Sequence, residues 1–280
     1  MVRIITDSAA DFEPQELQQL NIHCIPLKVM MGQQEYEENI TLSKPQFFDL
    51  LRNLENAPKT SQASPQYLMD LFQDAREAGD EAIYITLSSA LSGTYQTACM
   101  IREEDGGEGC YVVDSRNATG GQRMLVEYAV KLRSQGKSAQ EIIAGVEKLR
   151  DRIVLYACID TLEYLYKGGR ISQTAYKLGT LAQVKPVIRV TEEGKIEVPA
   201  KAMGMRKGID LLLKRLETQK PDPDHPIYVM YTPETGNARM LQERMSAAGF
   251  HVPEERFISV GAAIGSHIGH NGCGIVYVEA

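Results

Sequence analysis

Three groups of side chains in this chain have the types and spacing to hold, or to attack, a polar head group. The first is Ser88, Ser89, Ser92 and Thr94, four hydroxyls within residues 83–98 (IYITLSSALSGTYQTA). Hydroxyls donate and accept without a fixed charge, and Ser92 and Gly93 stand where a following helix leaves its first N–H groups unpaired. Such a turn suits a carboxylate or a phosphate. The second group is Thr60 and Ser61 in KTSQAS (59–64), a hydroxyl pair on a loop just before a helix. The third is His267 and His270 in the glycine-rich stretch 261–278. Their spacing raises metal ligation, but no carboxylate or third His lies near in sequence. A single His donating to an anion from a glycine-rich loop is the stronger reading. Asp7, at the end of an N-terminal strand, either orients a neighbour or caps a helix over 12–20.

The same residues admit an alternative, a serine hydrolase in which Ser92 is the nucleophile, His267 the base and Asp7 the orienting acid. Its GxSxG elbow would need small glycines where the chain has Ala90 and Thr94. Neither GxxxxGK[ST] nor GxGxxG occurs, so nucleotide binding has no motif behind it.

The elements that must position these groups alternate between strand and helix. Apolar runs predict strands at 2–5, 22–30, 83–87 and 110–113, with a turn at 31–34 and a loop at 105–109. Helical periodicity predicts helices at 12–20, 41–54, 66–78, about 94–104, 122–134 and 138–151, with Ser64 as the cap and Pro65 at the first position of the third. This order implies a mainly parallel sheet. A second unit follows, with a strand at 153–159, a helix at 161–166, a glycine turn at 167–170 and a helix after Ile171. A hairpin at 184–198 turns at Glu193-Gly194. Then come a helix at 206–216, a surface connection at 220–226, strands at 227–231 and 256–260 and a helix at 233–248 between them. The fold expected is α/β, with two α/β domains at 1–152 and 153–280.

Composition narrows the function. With 280 residues and 43% hydrophobic content the chain can bury a large core. A net charge of −7 with Lys and Arg scattered argues against a nucleic-acid partner. No apolar run reaches the ~20 residues of an integral membrane segment, and the first residues enter a strand pattern, so the cytoplasm is the expected compartment. The five cysteines are dispersed, without a CxxC pair, and read as reduced core residues rather than disulfides or zinc ligands.

Six stretches in order resemble the DegV family of bacterial fatty-acid-binding proteins: TDSAAD (6–11), KTSQAS (59–64), TLSSALSGTYQTA (86–98), VVDSRNATGG (112–121), YLYKGGRIS (164–172) and IGSHIGHNGCGIVYV (264–278). The resemblance spans the chain, and six motifs in sequence are specific where each alone is weak. It implies a carrier without its own catalysis, with an acyl chain in a tunnel near the domain interface. It places the carboxylate on Thr60, Ser92 and His267, beside Ser61 and Gly93. His270 is a secondary candidate, as is Arg170, which could equally pair with a carboxylate across domains. The implied ligand is a long-chain fatty acid such as palmitate, stearate or oleate, with no metal or other cofactor. The implied partner is a fatty acid kinase subunit that phosphorylates the delivered acid for phospholipid synthesis. Two departures stand out. Met203-Gly204 replaces an Arg before a Gly in a basic segment tied to kinase docking, with Arg206 and Lys207 still near, and His270-Asn271-Gly272 replaces a Pro-Gly-small sequence.

Overall fold

A computed structural model of the chain describes residues 1–104, 106–177, 183–233 and 236–280. Position 105 of the expected loop, and positions 234 and 235 of the helix expected at 233–248, lie outside the described residues. The first half runs β1 (Val2–Asp7), α1 (Pro14–Leu20), β2 (Ile22–Ile25), β3 (Lys28–Met31), β4 (Gln34–Glu37), α2 (Lys44–Leu51) and β5 (Lys59–Ser61). It continues with α3 (Pro65–Glu77), β6 (Glu81–Thr86), α4 (Thr94–Glu104), β7 (Cys110–Asp114), α5 (Thr119–Ser134) and α6 (Ala139–Arg150). Next come β8 (Ile153–Cys158), α7 (Glu163–Lys167), α8 (Gln173–Lys177), β9 (Val184–Val190), β10 (Ile196–Met203) and α9 (Met205–Thr218). The chain closes with β11 (Tyr228–Tyr231), α10 (Gly236–Ala247), β12 (Phe257–Ser259), α11 (Ala262–Ile268) and β13 (Cys273–Val278).

Three sheets result. The expected parallel sheet has strand order β2-β1-β6-β7, with Ile4 opposite Ile83 and Ile85 opposite Val113. The second sheet, β10-β9-β8-β13-β11-β12, is antiparallel except between β11 and β12. Its β9–β10 hairpin turns where expected, at a glycine with φ of 78° that an L side chain would adopt only under strain. The third, β4-β3-β5, was not expected. Its existence corrects two readings. The single strand expected at 22–30 is two, because Pro26 has no N–H to continue the ladder, and the chain changes sheets there. Thr60 and Ser61 lie on strand β5, antiparallel to β3, rather than on a loop.

Other corrections are local. Asp7 caps a short 3₁₀ turn, accepting from the Ala9 N–H at 3.1 Å, while α1 starts at Pro14 beyond its reach. The helix expected at 41–54 is shorter, because Ser43 and Gln46 set its start in a capping box. Ser64 holds the N-cap position of α3 but makes no side-chain capping bond. The glycine-rich stretch 261–278 is not a loop at His267, since α11 carries it.

The largest apolar cluster joins the first two sheets. Leu125, Val126 and Ala129 of α5 and Ile142 and Val146 of α6 pack with Ile4, Ile83 and Ile85 of the parallel sheet. The same cluster takes in Leu155, Met230 and Val276 of the second. Burying one such aliphatic side chain stabilises by about 1.5–3 kcal/mol, so α5 ties the two sheets together. A polar tie adds to it: the buried Ser88 hydroxyl donates to the Gly194 carbonyl at the hairpin tip, 2.8 Å away. No helix among the described residues is long and apolar enough to cross a membrane.

Candidate functional site

Open α/β sheets leave a crevice beyond the carboxyl ends of their strands. Here a cavity of about 280 Å³ occupies it. Leu27 enters from just after β2, Leu87 and Ser92 from after β6, and Ala118 from after β7. The opposite wall comes from Leu165 of α7, Ile196 of β10, and Ile264, His267 and Ile268 of α11. A smaller apolar space of about 60 Å³ adjoins it, sharing Ala118, Ile196, Ile264 and Ile268, and reaches Leu155, Met230 and Val260 deep between the sheets. Ala118, Ile196, Ile264 and Ile268 thus stand between the outer cavity and the inner apolar space.

Polar groups gather at the mouth. Thr60 Oγ1 lies 2.8 Å from His267 Nε2, joining residues 207 positions apart. Strand pairing puts Thr60 there, opposite Val29 of β3, and α11 brings the imidazole to meet it. Burial, with the positive Arg170 nearby, pushes the His267 pKa down to about 3, so the ring is neutral. A neutral ring carries one proton. If it sits on Nε2, the ring donates to Thr60 Oγ1 and leaves the Thr60 O–H free to donate into the cavity. His267 Nδ1 is buried with no hydrogen-bond partner, which suits that tautomer, since a bare acceptor costs less to strand than an N–H. It faces Gly168, where an added Cβ would lie 2.2 Å from Nδ1.

Ser92 reaches the same cavity from the turn before α4. Its Oγ is 2.8 Å from Thr94 Oγ1 and accepts from the Thr94 N–H at 3.3 Å. Where the Thr94 hydroxyl is the donor of that pair, the Ser92 hydroxyl keeps its own proton for a ligand. This arrangement does not support the hydrolase alternative. Asp7 is spent on the Leu87 N–H at 2.7 Å and on Ala9, and the Gln122 amide donates to it at 3.1 Å. His267 Nδ1 therefore lacks the orienting carboxylate a triad requires, and Ser92 is bonded to Thr94 rather than to a base.

The remaining candidates divide. Ser61, Gly93 and Arg170 line the cavity. Arg170 pairs with backbone rather than with a carboxylate: its Nε donates to the Leu91 carbonyl at 2.9 Å, and its Nη1 donates to the Gly168 carbonyl. It thereby ties the Ser92 turn to the segment behind His267. His270 does not line the cavity; its ring lies edge-on to Phe48, centroids 5.7 Å apart. Ser88 and Ser89 also leave the anion-holding set, since neither lines the cavity and the Ser88 hydroxyl bonds Gly194.

Sequence reasoning missed Gln62 and Gly168. Gln62 lines the mouth, its amide lying across Gly93 where a Cβ would come within 2.5 Å of Nε2. The signal was there in principle, because in extended chain Thr60 and Gln62 share a face. Gly168, read only as a turn glycine, has φ of −76° and is small because of His267, not because of its backbone.

Comparison with known proteins agrees along the whole chain. The family described as "Uncharacterised protein, DegV family" matches residues 1–280. A DegV domain-containing protein of Caldanaerobacter subterraneus subsp. tengcongensis is 31% identical over 281 residues, covering 99% of each chain. Among solved structures, a DegV family protein from Thermus thermophilus described for its fatty acid binding superposes with a TM-score of 0.89 at 28% identity, covering 100% of this chain and 99% of that one. DegV of Bacillus subtilis, described as a fatty acid binding protein, superposes at 0.83 with 26% identity, covering 100% and 99%.

Proposed function

Since this chain belongs to the DegV family, we propose that it binds one long-chain fatty acid, such as palmitate, stearate or oleate, with the acyl chain buried and the carboxylate at the mouth. The observation that carries this reading is the polarity of the cavity: Thr60, Ser92 and His267 at one end, and past Ala118 and Ile264 walls that are apolar but for Thr119 and Tyr231. Burial of an acyl chain of about 16 carbons offers on the order of 12 kcal/mol gross at ~0.8 kcal/mol per CH₂, before the entropy of association is subtracted. Each charge-assisted hydrogen bond adds about 1.5–3 kcal/mol. The chain sets affinity. The hydroxyls and the imidazole set orientation and keep a buried carboxylate from going unpaired.

Thr60 O–H and Ser92 O–H are the donors, with the His267 Nε2–H holding Thr60 Oγ1 in place and Arg170 supplying positive potential while its own N–H groups hold the wall. No step of bond making is assigned to the site; the protein acts as a cytoplasmic carrier that presents the carboxylate to a fatty acid kinase. Met203, 58% exposed at the end of β10, stands on the surface where the family's docking Arg would be, with Arg206 and Lys207 exposed beside it. Extraction and mass spectrometry of purified protein, followed by calorimetric titration with oleate, tests the reading. A co-purifying or added fatty acid bound at one per chain is expected, weakened in Thr60→Val and Ser92→Ala; absence of both lipid and binding heat sinks it.

A further inference from the structure

Two buried carboxyls converge on the helix that carries His267. Gly261, the N-cap of α11, donates its N–H to Asp11 Oδ1 at 2.9 Å, and the Ala263 N–H donates to Glu38 Oε1 at 3.1 Å. Both acids are 1% exposed. They crowd one point: a Cβ on Gly261 would lie 2.2 Å from Glu38 Oε1 and 3.0 Å from Asp11 Oδ1. Glu38 also donates its backbone N–H to Leu27, just before β3, and β3 pairs with the β5 strand that bears Thr60. Asp11 closes the turn that follows β1. The two acids therefore fasten α11 to the sheet holding Thr60 and to the parallel sheet at once. From Ala263 to His267 is only about 6 Å along a helix, so a shift at this anchor reaches the imidazole undamped.

We propose that Asp11 and Glu38 are positioning residues that clamp the start of α11 and so hold His267 against Thr60, an assignment that rests on the fatty-acid reading above for its effect on binding. Their second oxygens, Asp11 Oδ2 and Glu38 Oε2, are buried without a well-formed hydrogen bond, and the Thr119 and Ser8 hydroxyls only partly ease the charge on Asp11 and Glu38. Two carboxyls so placed ionise together only at a cost, and burial pushes Glu38 up to about 7 and Asp11 up to about 6. The charged groups facing them are few. Lys44 of α2 spends its ammonium on the Asp11 carbonyl, the Glu13 carboxylate and the Ser259 carbonyl. Arg123 of α5 attracts Asp11 more weakly. Asp7 of β1 and the Cys24 thiol of β2 share this buried region, the thiol pushed up by its burial and then by all three carboxylates. The clamp is therefore tightest while one proton remains on the pair, and it loosens as pH rises through 7.

The test reads His267 directly in the ligand-free protein by imidazole ¹⁵N NMR, and oleate affinity between pH 6 and 8.5. Glu38→Ala is expected to move the His267 ring signals and to weaken oleate binding roughly tenfold at pH 6, and by less at pH 8.5 where the wild-type clamp has itself loosened. Glu38→Gln mimics the protonated acid, so it keeps the wild-type ring signals and flattens the pH dependence of binding. Thermal melts report folding of each variant, and Gly261→Ala gives a second route to the same displacement. Unchanged ring signals in both Glu38→Ala and Gly261→Ala overturn the clamp, whether or not oleate binds. Failure of wild-type protein to bind oleate, with the ring signals moving as expected, would count against the fatty-acid reading alone.

Discussion

Gly168→Ala isolates the position of one ring. Gly168 sits in the right-handed helical region, with φ of −76° and ψ of −9°, so alanine meets no backbone penalty there. Helix propensity even favours alanine by about 0.5–1 kcal/mol. What the methyl meets is His267, at 2.2 Å from Nδ1 and 2.6 Å from Cε1, with the Tyr164 carbonyl oxygen at 3.0 Å. Ordinary contact begins near 3.4 Å, so the ring must retreat by about 1 Å. The Thr60–His267 bond, now 2.8 Å, then lengthens past the limit at which a hydrogen bond survives. Without His267 to orient it, the Thr60 hydroxyl loses its charge-assisted bond to the carboxylate, at about 1.5–3 kcal/mol or roughly 10- to 100-fold in affinity. Calorimetry with oleate below its micelle concentration measures this, and a thermal melt confirms the fold. Oleate affinity within about twofold of wild type in a folded Gly168→Ala protein refutes the claim that His267 must stand against Thr60 to hold the head group.

Two further outcomes follow from the cavity and from its buried acids. Ala118→Leu narrows the passage shared by the two spaces, so chains that stop short of it keep their affinity; denying five methylenes burial costs a longer chain about 4 kcal/mol. Titration with a series from octanoate to stearate checks this, and an equal loss at every length would contradict it. Glu38 has its pKa raised from 4.5 to about 7, so the unfolded chain ionises first and Glu38 costs stability increasingly as pH rises from about 4.5 to 7; His267, lowered from 6.5 to about 3, costs stability in the opposite sense, increasingly as pH falls from 6.5 to about 3. Glu38→Gln is accordingly expected to raise the melting temperature at pH 8 and to leave it nearly unchanged at pH 4.5; equal melting shifts at both values would show that the group does not titrate as described.

The parallel sheet was legible because β1, β6 and β7 are apolar runs separated by amphipathic helices, a pattern local to each element. The β9–β10 turn was legible from Glu193-Gly194 for the same reason. Strand β5 was not, since Lys59, Thr60 and Ser61 carry no apolar alternation and pair only because β3 offers an edge. The helix around His267 was hidden by its glycines. Gly265 reads as a loop residue, yet a Cβ there would come within 2.7 Å of Phe47 and 2.8 Å of Phe48, so its smallness belongs to packing against α2. Thr60, Ser92 and His267 were named from the chain alone as three separate hydroxyl or imidazole stretches, and only the family resemblance joined them. Asp11 and Glu38 lay beyond such reading altogether, because their partners are 250 and 225 residues away.

Helix α5 belongs to the core of both large sheets, and that has a consequence for the order in which the chain is made. As the first 150 residues leave the ribosome, Leu125, Val126 and Ala129 lack Met230 and Val276, which emerge only later. Until then an apolar stripe on α5 stands open, and the binding cavity lacks the wall that α11 provides. The nascent first half is thus the aggregation-prone stage of this protein's life. Closure of the ligand site and completion of the core arrive together with the final strand.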